Sequence, residues 1–229
     1  METLFNGFTL DIAPGTFPLS TDSIALADFV RLPKQANVLD LGAGCGTIGI
    51  LLCAKDSTCH VTGIELDENA HAMALKNRED NKLQDRFQSI CADLTAITTL
   101  VSRGNFDICV SNPPYFTAGF LSRSTPLARH EESCSLEALV ESAAYSLKFG
   151  GDFYLVHKPE RLAEIFAAAV RHKLEPKRLC LLRHKENGPV SLVLVQCRKG
   201  AKPGLVWEEA SLHDNLNQIT DYYKKIYHL

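Results

Sequence analysis

The sequence predicts an α/β fold with a seven-stranded, mostly parallel sheet, an antiparallel edge hairpin and helices on both faces. Five apolar runs alternate with helical patterns along most of the 229 residues, an order that favours a parallel sheet. Two further apolar runs near the carboxyl end are separated by a short Asn-Gly segment, which predicts the hairpin. The composition, 45% hydrophobic and 22% charged, is typical of a globular domain.

The predicted strands are short runs rich in β-branched and other apolar residues, bounded by turn-forming residues. They comprise residues 36–41, 60–66, 86–93, 106–112, 152–158, 176–184 and 189–197. The predicted helices are richer in helix formers and comprise residues 21–32, 46–55, 67–81, 135–151 and 159–173. Thr21 or Asp22 is expected near the N-cap of the first helix, and Pro159 at the first position of the last.

The whole chain, residues 1–229, is predicted to form one domain. An arm with the leading helix occupies residues 1–35, the core occupies residues 36–198 and a mixed tail occupies residues 199–229. No apolar stretch approaches the ~20 residues of a membrane span, and the first 15 residues lack the pattern of a signal peptide. The eight cysteines form no CxxC pair, so we expect reduced thiols, no metal site and a cytoplasmic location.

The net charge of −3 conceals an uneven distribution. Residues 1–150 carry 11 basic and 18 acidic side chains, whereas residues 151–229 carry 13 and 9. The segment 171–185, RHKLEPKRLCLLRHK, holds six Lys or Arg side chains. Such a segment fits either a strip that contacts a polyanion or a solvated edge strand.

A glycine-rich segment, VLDLGAGCGTIG (38–49), follows the first predicted strand and opens a helix. Gly44 begins a literal GxGxxG, and Glu65 lies about 20 positions on, which together permit a nicotinamide dinucleotide. Asp40, however, would repel a pyrophosphate, whereas it can pair with a cationic amino-acid head group. Glu65 suits a ribose diol in either ligand, and Asp93 can accept a hydrogen bond from an adenine amino group. The acidic series therefore favours S-adenosylmethionine as the cofactor.

The fourth predicted strand ends in SNPPY (111–115), at the edge where open α/β sheets bind ligands. An exocyclic amine on an aromatic ring is a weak nucleophile because its lone pair is delocalised. Two hydrogen-bond acceptors can hold its N–H bonds and leave the lone pair aimed at a methyl donor. The Asn112 side-chain oxygen and the Pro113 carbonyl can serve as these acceptors, and Tyr115 offers a face to a planar substrate. The motif therefore predicts methylation of an amine through positioning.

These motifs together resemble the S-adenosylmethionine-dependent amino-methyltransferases, which have the Rossmann-like class I fold and act on adenine, cytosine or glutamine nitrogen. Other segments are similar to bacterial tRNA adenine-N6-methyltransferases that act beside the anticodon of a valine tRNA. They are STDSIALADF (20–29), ARHEE (128–132), HKPERLAEI (157–165) and LEPKRL (174–179). The resemblance implies S-adenosylmethionine as cofactor, tRNA as partner and the N6 amine of an adenine next to the anticodon as the target.

The resemblance also implies roles for the matching residues. Cofactor contacts are implied for Thr21, Asp22, Asp40, Gly42, Gly44, Glu65, Asp93, Leu94 and Asn112. Catalysis is implied for Asn112, Pro113 and Tyr115. Cys45 departs from the family pattern, in which Thr, Ser or Gly is usual, but should still fit a tight loop.

Candidate substrate contacts follow the same motif. Pro114 is expected beside the target base, and Phe116 can stack a base together with Tyr115. Arg129 and His130 lie in the polar loop that follows, where they can either bind RNA or hold the loop closed.

Four alternatives remain open from the sequence. A methyltransferase of glutamine in a release factor shares the NPPY motif, but usually carries a helical domain before the catalytic one, and about 35 residues precede the first strand here. A small-molecule methyltransferase fits less well with the basic segment 171–185. An NAD oxidoreductase does not explain NPPY, and a non-catalytic RNA-binding module does not explain the acidic series. The oligomeric state, monomer or weak dimer, is not fixed by the sequence.

Overall fold

The centre of the molecule is an eight-stranded sheet, seen in a computed structural model that describes residues 1–114 and 135–229. Its strands are β1 (Asn37–Leu41), β2 (His60–Glu65), β3 (Phe87–Cys91), β4 (Phe106–Ser111), β5 (Leu147–His157), β6 (Leu174–Lys185), β7 (Val190–Lys199) and β8 (Val206–His213). In space they follow the order β8-β6-β7-β5-β4-β1-β2-β3.

Neighbouring strands pair in parallel, except that β7 runs antiparallel to both β5 and β6. The predicted α/β fold with a mostly parallel sheet is therefore confirmed. The chain builds the sheet outward from β1 to β3 and then, from β4, in the opposite direction. The carboxyl ends of β1 and β4 consequently flank the topological switch point, where sheets of this kind bind ligands.

The structure adds an eighth strand, β8, to the seven predicted. It pairs in parallel with β6, so the predicted hairpin of β6 and β7 is present but does not form the edge of the sheet. Val206 and Trp207 are 69% and 61% exposed, and the segment thus lacks the buried alternation that marks a strand in sequence. Glu208 and Glu209 form ion pairs with arginines of β6, which hold β8 in place beside its backbone pairing.

Seven α-helices are found in the described residues. They are α1 (Thr21–Phe29), α2 (Thr47–Lys55), α3 (Glu68–Asp80), α4 (Ile97–Leu100), α5 (Leu136–Ser146), α6 (Leu162–Arg171) and α7 (Asp221–Tyr227). The side chains of Asp67, Ser135 and Thr220 cap α3, α5 and α7 by accepting amide hydrogen bonds.

The first helix begins at Thr21, so Thr21 and Asp22 lie next to its N-cap as predicted. The cap itself is Ser20, whose hydroxyl accepts from the Ser23 amide. The start of the last predicted helix differs by three residues. Pro159 opens a 3-10 turn (Pro159–Arg161) that precedes α6. Proline fixes φ for either helix type, so its presence does not distinguish the two.

Apolar clusters fill both faces of the sheet. On one face Leu26 of α1, Leu52 of α2 and Ile226 of α7 lie in a common cluster. On the other face Leu139 of α5 and Ile165 of α6 are buried. The tail therefore packs into the same core as the first two helices.

The amino-terminal arm, predicted to be irregular, contains a two-stranded hairpin of Glu2–Thr3 with Thr9–Leu10. Side chains of α3 and of the residue that follows it fasten the hairpin: Asn81 Oδ1 accepts from the Thr9 amide at 2.8 Å, and Asn77 Oδ1 accepts from the Asp11 amide at 2.8 Å. The arm is thereby attached beside the glycine-rich loop.

Across residues 1–114 and 135–229, no helix is long and apolar enough to cross a membrane. The same residues contain no group of three or more His, Cys, Asp or Glu side chains placed to hold a metal ion.

Candidate active site

The segments predicted to bind cofactor and substrate meet at one edge of the sheet, because β1, β2 and β4 are parallel neighbours. Asp40 on β1 lies in register with Gly63 of β2 and Val110 of β4. At the end of β4, Ser111 Oγ donates to the Leu41 carbonyl at 2.6 Å. A direct hydrogen bond therefore ties the start of the glycine-rich loop to the residue before Asn112.

The first two glycines of this loop face open space. Gly42 and Gly44 have φ of +76° and +56°, values that favour glycine, and a Cβ on either would meet no atom within 4 Å. A Cβ on Gly46 would instead lie 2.9 Å from the Phe87 ring. Gly42 and Gly44 are thus available to a ligand, whereas Gly46 serves packing.

Cys45 completes the loop as a buried residue. Its sulfur accepts from the Ala13 amide at 3.4 Å and lies 3.4 Å from the Thr16 hydroxyl. Asn77 of α3 donates to the Cys45 carbonyl at 2.9 Å. The thiol therefore fits the tight loop, as expected, and holds the arm against it.

Glu65, at the end of β2, is held by two backbone amides. Its Oε2 accepts from Gly44 and its Oε1 from Asp67, each at 2.8 Å. The side chain is 8% exposed. Because each carboxylate oxygen can accept more than one hydrogen bond, this group can still receive the hydroxyls of a diol.

Asp40 is fully buried, and neither of its carboxylate oxygens has a hydrogen-bond partner among the described residues. Burial raises its pKa from 3.8 to about 7, assisted by the nearby Glu65 carboxylate and opposed by the Gly49 amide, which lies near without a normal hydrogen bond. A buried carboxylate without a partner is costly. The position is therefore suited to a cationic ligand group.

Asp93 and Leu94 follow β3 at the same edge. Asp93 Oδ1 accepts from the amide and the hydroxyl of Thr95, each at 2.8 Å, and thereby caps a 3-10 turn (Leu94–Ala96). The Leu94 side chain is buried, and its carbonyl accepts from Ser142 Oγ at 3.2 Å. Asp93, which was predicted to accept a hydrogen bond from an adenine, thus uses part of its acceptor capacity within the turn.

The start of α1 reaches the same edge through Ser23. Asn112, the residue after β4, donates from Nδ2 to Ser23 Oγ at 3.0 Å. Two residues earlier, the Thr21 hydroxyl lies 2.8 Å from the Tyr227 hydroxyl of α7. The structure therefore places the predicted leading motif, Thr21 and Asp22, on a helix that contacts both Asn112 and the tail.

Pro113 and Pro114 follow Asn112 and are partly exposed. Four predicted site residues, Tyr115, Phe116, Arg129 and His130, lie outside the described residues.

The basic segment 171–185 does not form one strip. Arg171 and His172 bond Glu137 of α5, and together they lower the pKa of that carboxyl to about 2. Arg178 lies 4.2 Å from the centre of the Phe29 ring, and Arg183 donates to the Gly188 carbonyl. The first cations of the segment lie at the amino edge of the sheet, away from Asn112, because β6 runs parallel to β4.

Ser23, Ser111 and Tyr227 contribute to the site although no motif in the sequence predicts a role for them. Ser23 stands inside the leading motif, where a serine is more often a helix cap. Tyr227 lies 206 residues from its partner Thr21, a separation that no local pattern reports.

Comparison with known proteins identifies residues 19–173 as a match to the methyltransferase small domain family. The tRNA1(Val) (adenine(37)-N6)-methyltransferase of Photobacterium profundum is 26% identical over 216 residues, which cover 92% of this chain and 90% of that relative. The protein of the same name from Shewanella halifaxensis is 31% identical over 182 residues, covering 79% and 72% respectively.

Solved structures of methyltransferases share the fold. A predicted O-methyltransferase from Agrobacterium tumefaciens superposes with a TM-score of 0.76 at 21% identity, over 91% of this chain and 96% of that one. The T. thermophilus 16S rRNA N2 G1207 methyltransferase, in complex with AdoMet and guanosine, gives a TM-score of 0.57 at 24% identity, over 82% and 45%. Because the family match covers more than half of the sequence, the chain belongs to the methyltransferase small domain family.

Proposed function

We propose that the protein is an S-adenosylmethionine-dependent methyltransferase that methylates the exocyclic N6 amine of an adenine in tRNA, next to the anticodon. The observation that carries this proposal is the position of Asn112 and Pro113 at the end of β4, where Ser111 bonds the Leu41 carbonyl, immediately before Gly42. The names of curated relatives that cover most of the chain support the choice of tRNA adenine.

The chain's own residues fit the cofactor, which when bound supplies an electrophilic methyl group on a sulfonium. Asp40, which is buried and has no hydrogen-bond partner in residues 1–114 and 135–229, would pair with its ammonium group. Gly42 and Gly44 leave open space for its methionine end. Glu65, fixed by two amides, would accept from the ribose hydroxyls.

Four further residues at the edges of this site would contact the cofactor. The acceptor positions of Asp93 that Thr95 does not use would bind the adenine of the cofactor, together with the backbone of Leu94. Thr21 and Asp22 would close over it from the start of α1.

The target amine would be held by the residues after β4. The Asn112 side-chain oxygen and the Pro113 carbonyl would accept its two N–H bonds, leaving its lone pair directed at the methyl group. Pro114 stiffens the backbone before it. The nitrogen would gain the methyl group as the methyl–sulfur bond breaks, and one of its two N–H protons would then pass to solvent. Transfer would depend on positioning, which can contribute roughly 7–11 kcal/mol without a strong base.

Four residues assigned from the sequence complete the proposed substrate site. Tyr115 and Phe116 would stack the base. Arg129 and His130 would contact the RNA around it.

The tail is part of this proposal. Leu212 and Ile226 lie in the apolar cluster shared by α1 and α2, so we propose that residues 1–229 act as one domain. We place the enzyme in the cytoplasm because its proposed substrate is tRNA.

The decisive experiment incubates the protein with methyl-labelled cofactor and, separately, total tRNA, DNA and a release factor. We expect label in tRNA, recovered as N6-methyladenosine by nucleoside mass spectrometry. Label in glutamine of the release factor would replace this proposal with the protein methyltransferase.

The Asn112→Ala variant tests the site itself. We expect methyl transfer to collapse while binding of S-adenosylhomocysteine, measured by calorimetry, survives. Asn105→Ala is the matched control, because Asn105 is exposed at the opposite edge of the sheet. Unchanged turnover in Asn112→Ala would contradict the assigned role.

A further inference from the structure

A buried serine on α1 contacts the amide that is proposed to hold the substrate. Ser23 lies in the first turn of α1 and is 6% exposed. Its Oγ accepts from Asn112 Nδ2 at 3.0 Å, across 89 residues of sequence. This contact joins the helix start to the end of β4.

The two ends of a side-chain amide have opposite hydrogen-bonding properties. The NH₂ group donates only, and the carbonyl oxygen accepts only. An amine substrate presents N–H donors, so Asn112 can hold it only when its oxygen faces the substrate. An acceptor that binds Nδ2 on the side of α1 selects that orientation over the flipped one.

The serine is itself attached to rigid parts of the fold. Ser20 caps α1, and the Thr21 hydroxyl bonds Tyr227 of α7. On the other side of the contact, Ser111 ties the backbone before Asn112 to β1. The amide is therefore held at its backbone by Ser111 and at its side chain by Ser23.

We propose that Ser23 is a positioning residue that fixes the orientation of the Asn112 amide for methyl transfer. This role rests on the proposed function, since it requires Asn112 to bind the target amine. Ser23 touches neither reacting group and acts through Asn112.

The test compares Ser23→Ala with Ser23→Thr, which retains the hydroxyl, in the full-length chain. The loss of one neutral hydrogen bond that is needed at the transition state lowers kcat about tenfold in Ser23→Ala. KM for the cofactor and the affinity for S-adenosylhomocysteine stay within about twofold of the wild type. Ser23→Thr restores most of kcat.

Ser146→Ala is the matched control. Ser146 is also a buried serine, and its hydroxyl bonds the Ser142 carbonyl inside α5, away from Asn112. We expect its melting temperature to fall at least as much as that of Ser23→Ala, with kcat close to the wild-type value.

A second measurement is independent of turnover. The side-chain NH₂ resonances of Asn112, identified by their disappearance in Asn112→Ala, should be protected from solvent exchange in the wild type and in Ser23→Thr. Their exchange with solvent should be faster in Ser23→Ala than in the wild type or Ser23→Thr.

The outcomes separate the two proposals. If the wild-type chain methylates tRNA but Ser23→Ala keeps its kcat or its protected Asn112 amide, the role of Ser23 is overturned alone. If the wild-type chain transfers no methyl group to tRNA, the proposed function falls and the role of Ser23 falls with it.

Discussion

In the unliganded protein, the buried carboxylate of Asp40 lowers the free energy of unfolding at neutral pH. An uncharged side chain at this position would not have that effect. Asp40 has no hydrogen-bond partner among the described residues, and burial raises its pKa from 3.8 to about 7. Between these two values the folded chain binds more protons than the unfolded chain. The free energy of unfolding therefore falls as the pH rises across that window and levels off above it.

Replacing Asp40 with Asn removes this titration while keeping the size and shape of the side chain. One pKa unit corresponds to about 1.4 kcal/mol, so a shift of about three units gives a gain of about 4 kcal/mol at pH 8. At pH 5 the same reasoning gives about 2 kcal/mol, because the wild-type carboxyl is then largely protonated in the fold. Near pH 3 the two proteins should be equally stable.

Urea unfolding of the unliganded wild type and of Asp40→Asn at pH 5 and pH 8 measures these differences. Burial also lowers the pKa of His157 to about 4, which makes stability rise with pH between that value and 6.5. This contribution is common to both proteins and cancels in their difference. A gain that is equal at the two pH values, or a loss at pH 8, would refute the reasoning.

Asp107→Asn is the control with the opposite sign. Burial acts to raise the pKa of Asp107, but hydrogen bonds from Lys148 and the Asn37 amide hold it below its ordinary value. The ionised Asp107 carboxylate therefore stabilises the fold at pH values above its ordinary pKa of 3.8. This stabilisation is lost as the pH falls through the lowered pKa of the folded protein. We expect Asp107→Asn to be less stable than the wild type at pH 8.

The remaining predictions concern the tail and the basic segment. Tyr227→Phe removes the bond to Thr21, and we expect KM for the cofactor to rise roughly fivefold. Tyr223 stacks on Tyr227 in the same helix, and Tyr223→Phe should keep the wild-type KM in the same assay. Arg171→Ala breaks the contact with α5, so we expect a lower melting temperature but an unchanged salt dependence of tRNA binding; a flatter slope would instead indicate that Arg171 contacts phosphate.

The fold could be predicted from the sequence, and so could the edge of the sheet that carries the candidate site. Both follow from local signals and one topological rule. The apolar runs identify the strands, and the carboxyl ends of parallel strands meet at one edge. Asp40 is the penultimate residue of β1, Glu65 ends β2 and Asn112 follows β4. Their positions at the strand ends placed them together. What the sequence did not reveal is that Asp40 lies in the interior with no hydrogen-bond partner in the described part of the chain.

The eighth strand and the contacts of α1 could not be predicted for a different reason. The first four side chains of β8 are exposed and two of them are acidic, and the position of the strand depends on its pairing with β6. The contact of Ser23 with Asn112 depends on where the ends of two elements meet in space. Neither leaves a periodic signature in the residues involved.

The excess of basic residues in the second part of the chain is partly used inside the fold. Arg198 pairs with Asp152 of β5, Lys225 pairs with Asp28 of α1, and arginines of β6 pair with the acidic strand β8. A cation already paired with a carboxylate releases fewer counterions from RNA. The basic excess of residues 151–229 therefore overestimates the charge available to a nucleic acid.

One of these internal pairs bears on the active site. Lys225 and Tyr227 belong to the same helix, and they hold α1 at its end through Asp28 and at its start through Thr21. The first turn of α1 also carries Ser23, which contacts the proposed catalytic amide. A change in the last turns of the chain can therefore alter the geometry at the end of β4 without touching it. On this reasoning the tail acts as part of the catalytic scaffold, and its influence should appear in turnover and cofactor affinity.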